Sequence, residues 1–101
     1  MATQKVHIYD NDTRLIVYPG VATIGGRFPD QIKFFNNTAE TIFLDIPAGL
    51  GNGRPLHIEI LSHKASEAYP PVKQDMAVVY TVMAGKRRGI GGSDPVIIID
   101  T

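Results

Sequence analysis

Ten glycines and seven prolines are spread along 101 residues. Either residue is costly inside a helix or a central strand, so they act as punctuation. The apolar segments they leave are short. Such a chain reads as many strands joined by turns, with little room for helix. Strands are predicted at Lys5–Tyr9, Arg14–Tyr18, Leu56–Leu61, Met76–Ala84 and Pro95–Asp100. The segment Val21–Asp30 is irregular, with room for a short edge strand. Gln31–Asn37 and Thr41–Pro47 form the clearest pair, joined by a hairpin turn over Asn36–Glu40. Ser62–Pro71 is the one helical turn, capped by Ser62 and stopped by two prolines. Gly49–Pro55 is a connector. About seven strands with at most one short helix point to an all-β, antiparallel sandwich or barrel.

The length fits one domain over residues 1–101, able to bury roughly two-thirds of its unfolded surface. Apolar residues make up 44% of the chain, which favours a globule. Ten acids balance ten bases, so no basic excess exists for general nucleic-acid binding. There is no cysteine, which removes disulfides, thiolate metal sites and cysteine nucleophiles. No signal peptide is expected at the start, and no apolar run approaches a membrane span of about 20 residues. A cytoplasmic location is expected if the chain is full length, and a periplasmic or secreted one if a leader was removed.

Two stretches carry a family resemblance. The first is "IKFFNNTAETIFLDI" (Ile32–Ile46), a strand with paired asparagines, a turn and another strand. The second is "VVYTVMAGKRRGIGGSDPVIII" (Val78–Ile99), a strand, a glycine-rich loop and an apolar run. Together they resemble the cupredoxins, the plastocyanin and azurin type of Greek-key sandwich. The resemblance implies copper-ligand positions at Ile42, Val82, Gly85 and Ile90. A blue-copper site needs two imidazoles, a thiolate and a weak axial sulfur. None of these four residues supplies one. The expectation is therefore a copper-free member that needs no cofactor and has no catalytic residue. It would act as a binding or assembly module.

Its candidate contact surfaces are the loops Gly49–Gly53 and Met83–Gly92. Within the second, Lys86, Arg87 and Arg88 form the one dense charge run, expected on a mobile loop that docks an acidic protein. Val96–Ile99 is apolar on both strand faces. One face enters the core. The other is covered either by this chain's Gly49–Pro71 segment or by a second copy pairing through Val96–Asp100. Phe34, Ile42, Leu44, Tyr80, Val82 and Ile98 are expected to share one core. Nucleic acid and membrane are not expected partners.

The alternative is an enzyme or a metal-binding protein with a site unrelated to blue copper. His57 and His63 share a strand face with Glu59 if extension continues through Ser62, but would then lie about 20 Å apart. "GIGGSDP" (Gly89–Pro95) lacks the lysine and the following helix of a phosphate loop. Asp10-Asn11-Asp12 reads as a turn, without the glycine and distal glutamate of a calcium loop. No serine lies in a nucleophile elbow.

Overall fold

The computed structural model describes residues 2–10, 14–84, 87–90 and 94–101, the segment 87–90 by its backbone. Eleven strands and no helix are found among them. In chain order they are β1 (Gln4–Asp10), β2 (Leu15–Tyr18), β3 (Val21–Ile24), β4 (Ile32–Asn36), β5 (Ile42–Ile46) and β6 (Leu56–Ile60). Then follow β7 (Ala65–Tyr69), β8 (Met76–Val79), β9 (Thr81–Ala84), β10 (Arg87–Ile90) and β11 (Val96–Ile99). Eight form one sheet in the order β6-β5-β9-β10-β2-β1-β4-β7, and three form a second in the order β3-β11-β8. The expected all-β class holds, but the pairing is mixed rather than antiparallel throughout. β1 runs parallel to β4, β10 to β2, and β11 to β3.

Strand alternation places the core. Ile32 and Phe34 of β4, Ile42, Leu44 and Ile46 of β5, and Val82 and Ala84 of β9 all point inward and are buried. They meet Val6, Ile8, Leu15 and Val17 of the large sheet, and Ala22, Ile24, Val78, Ile97 and Ile99 of the small one. β6 and β7 stand at opposite ends of the large sheet, yet only residues 61–64 separate them. Asn36 Nδ2 donates to the carbonyls of Ile60 and Leu61 at 2.9 and 3.1 Å, tying β4 to the end of β6. The large sheet is thus bent until its two ends approach, a closure compatible with a β-sandwich.

Four local expectations are corrected. The first concerns β4 and β5, which are not a hairpin. β4 pairs with β1 and β7, and β5 with β6 and β9. The turn between them is real but carries the chain from near one end of the large sheet to near the other. Asn36 Oδ1 accepts from Thr38 N and Thr38 Oγ1 at 3.0 and 2.7 Å, and both side chains are buried. A side-chain-built turn of this kind satisfies polar groups without requiring the flanking strands to pair.

Second, Ser62–Pro71 is not a helical turn. Ser62 Oγ donates to Thr38 O at 2.7 Å instead of capping a helix. Residues 65–69 pair with β4 as β7, with a bulge between Lys33 and Phe35, and Ser66 Oγ accepts from Phe34 N at 3.0 Å. Third, Met76–Ala84 is two strands. Tyr80 separates β8 in the small sheet from β9 in the large one, and its N–H donates to Pro95 O at 3.1 Å.

Fourth, Ile98 is not in the core; Ile97 and Ile99 are. An unbroken apolar run gives no parity signal, so only its partners choose the inward face. Ile97 stands opposite Ala22 and Val78, and Ile99 opposite Ile24. The Gly49 connector lies on that inner side. Gly49 sits at φ +92°, and a Cβ there would fall 2.9 Å from Ile99 Cδ1 and 3.0 Å from Val78 Cγ2. The outer face of β11 is therefore left without a cover from this segment.

Candidate functional site

β5 and β9 are neighbours in the large sheet, with Leu44 opposite Val82. Ile42 lies two residues along from Leu44, so Ile42 and Val82 are diagonal neighbours on the inner face. Both have 0% exposure. The sheet thus brings together two of the four positions singled out from the sequence, as apolar core. Gly85 lies outside the described residues, and of Ile90 the backbone is described, pairing with Ile16.

Val82 follows Tyr80, where the chain passes from one sheet to the other, by two residues, and Tyr80 is buried in the same core. Its ring packs edge-on against Phe34 with centroids 5.7 Å apart. The Tyr80 hydroxyl is buried and has no hydrogen-bond partner among the described residues. Burial pushes this phenol well above its ordinary range. The region is apolar, closed and built for packing.

The basic run is placed differently from the sequence expectation. Lys86 lies outside the described residues. Arg87 and Arg88 belong to strand β10, opposite Ala84 and Met83, between β9 and β2. This backbone is hydrogen-bonded sheet, not loop.

The histidines are likewise separated. His57 stands on the outer face of β6, exposed, with its Nδ1 hydrogen-bonded to Asp45 Oδ1 on β5. His63 lies beyond the strand in a turn, at φ 59°, where Lys64 N donates to Leu61 O at 3.0 Å. No three His, Asp or Glu side chains gather as a metal would require among the described residues. Two shallow clefts of about 390 and 420 Å³ flank the Asp45–His57 pair. One is walled by Ile46, Pro47, Pro55, Leu56 and Val79; the other lies between Phe43 and Glu59. The pair supplies an oriented imidazole at an open surface; among the described residues lining the two clefts the one hydroxyl is that of Thr81.

Of two further surfaces, the sequence pointed to the first only through the run Val96–Asp100, and not to the second. The outer face of the small sheet carries Val21, Val79 and Ile98, exposed at 54, 52 and 36%, beside Ala77, Thr23 and Val96. No charged side chain interrupts these six strand positions. The outer face of β1 and β4 carries a ring stack: His7 against Phe35 at 5.0 Å, and against Tyr9 at 6.0 Å. Lys5 and Lys33 are directly opposed beside it. These residues lie 28 positions apart in the chain and meet only because β1 pairs in parallel with β4. No family model, curated protein or solved structure matches this chain.

Proposed function

We propose that the protein is a copper-free, cupredoxin-like Greek-key sandwich that works as a non-catalytic binding or assembly module. The observation that carries this reading is the pair Ile42 and Val82. They occupy positions where the resembled family places a histidine and the cysteine, and both are wholly buried among apolar neighbours. A frame whose metal positions have become core retains the scaffold and leaves its surfaces for recognition. Mixed sheets with parallel pairing of β1, and a strand that switches sheets at Tyr80, add to the sandwich reading. The test is affinity capture from the source organism with the tagged chain. Recovery of one stoichiometric protein partner is expected. Recovery of none, together with a turnover or metal-dependent activity abolished by His57→Ala, contradicts the reading and favours an enzyme built around Asp45 and His57.

A second reading is favoured by the uncharged outer face of the small sheet: the module assembles with itself. β11 is the central strand of that sheet, with β3 and β8 hydrogen-bonded on either side. Self-association through Val96–Asp100 would therefore join faces rather than strand edges. In a two-fold contact each side chain meets copies of its own neighbours, so a face without charge meets itself without repulsion.

A further inference from the structure

We infer that the outer face of β2, β1 and β4 is a docking surface for an acidic, carboxylate-bearing segment of a partner protein. The inference rests on the reading of the chain as a binding module and names the surface and the partner's chemistry. Its first support is an energetic anomaly. Lys5 and Lys33 stand directly opposite one another on neighbouring strands. Like charges so placed destabilise a sheet. Neither lysine has an ion pair among the described residues, and the partner of Lys33 across its other edge is Ala68. Glu67, next to Ala68 on β7, forms no ion pair with either lysine. Lys33 Nζ lies 5.6 Å from the Phe35 ring centre, a cation–π contact that offsets part of the cost. In a chain of zero net charge, two opposed cations without counter-charges are a local feature that folding does not require.

The second support is the character of the polar groups. Asn37 Nδ2 lies 3.1 Å from His7 Nδ1 and, as an amide N–H, donates to it. The neutral imidazole therefore carries its proton on Nε2. Along with two ammonium groups and the hydroxyls of Tyr9 and Tyr18, the face presents donors. Tyr18 stands opposite His7 and is 69% exposed. A surface rich in donors and short of acceptors fits an oxyanion-bearing partner.

The third support decides between partner classes. The rings of Tyr9, His7 and Phe35 are near-parallel, at 22° and 21°, with centroids 6.0 and 5.0 Å apart, and Lys33 Nζ lies 5.6 Å from the Phe35 centre. Nucleic-acid bases bind aromatic platforms through open ring faces, on a basic groove. This face has one pair of lysines rather than a basic groove, on a protein of zero net charge. It suits carboxylates and the flat contact of a protein surface, in which tyrosines are common anchors.

The test is NMR titration of the isotope-labelled protein with a blocked hexaglutamate, in parallel with a thymidine hexanucleotide. Hexaglutamate is expected to shift Lys5, His7, Tyr18 and Lys33, more strongly at low salt. The double change Lys5→Ser and Lys33→Ser should weaken its binding at least fivefold, while changing Lys86, Arg87 and Arg88 to Ser should not. Lys33→Glu should abolish binding and raise Tm, because the like-charge pair becomes an ion pair. The inference is overturned if hexaglutamate shifts no residue of this face, if its binding depends on Lys86–Arg88 instead, if the hexanucleotide binds this face more tightly, or if Lys33→Glu lowers Tm. A captured protein partner insensitive to the Lys5 and Lys33 changes would also overturn it, while leaving the module reading intact.

Discussion

Val82 and Ile42 show how one side chain can carry both a fold and an argument about function. Each is sealed in the core, so neither tolerates charge. Val82→Asp buries a carboxylate with no partner, and the variant should be largely unfolded at room temperature. Ile42→Ala removes buried methyl groups and should cost about 2–5 kcal/mol in urea unfolding. A Val82→Asp protein that melts like the parent would place Val82 on the surface. Tyr80 makes the complementary case. Its buried hydroxyl lacks a partner among the described residues, and an unmet buried polar group is expensive. Tyr80→Phe should therefore raise the unfolding free energy by about 1 kcal/mol. Burial also keeps this phenol protonated in the fold, while the unfolded chain ionises near the ordinary value of 10.0. The parent should lose stability as pH rises above that value, and the Phe variant should lack this contribution. A Phe variant less stable than the parent would mean that the hydroxyl is bonded.

At the level of elements, legibility followed the strength of the local signal. The inward sets of β4, β5 and β9 were plain because apolar residues recur at every second position, as at Ile42, Leu44 and Ile46, with Lys33, Asp45 or Thr81 among the residues between. β7 was hidden because Ala-Ser-Glu-Ala-Tyr has no β-branched residue and no alternation. It is a strand only because β4 offers it an edge. Asn36–Glu40 announced a turn but could not announce a direction, since that depends on which distant strands await on each side. The apolar run of β11 concealed its own parity, and with it the exposure of Ile98. That exposure has a consequence for assembly. If the small sheets pack face to face, sedimentation at rising protein concentration should reveal a reversible dimer. Val79→Lys with Ile98→Lys should abolish it while leaving Tm nearly unchanged, as expected for exposed positions. A parent that stays monomeric throughout would remove the self-assembly reading.

For the whole molecule, the arrangement divides labour between an interior and its faces. The interior is mostly apolar and includes Ile42 and Val82, two of the four positions that match metal ligands in the family the sequence resembles. The faces differ in chemistry: an uncharged one on the small sheet, a cation-and-ring one on β1 and β4, and an Asp45–His57 pair on β5 and β6. None of these contrasts is visible in the overall charge, which is zero. They arise from long-range pairing, which places Lys5 against Lys33 and Asp45 against His57. The proposed function stands on the register that makes Ile42, Val82, Gly85 and Ile90 the counterparts of ligand positions in the resembled family. The most direct measurement is to install the ligands, as Ile42→His, Val82→Cys, Gly85→His and Ile90→Met together, and to titrate the folded variant with Cu(II). Circular dichroism first establishes that the strands are retained. Two imidazoles, a thiolate and an axial thioether in register should yield an intense visible thiolate-to-copper absorption, absent from the parent and from a variant without Val82→Cys. A folded variant that takes up Cu(II) without that absorption, or takes up none, would contradict the register and the family reading built on it.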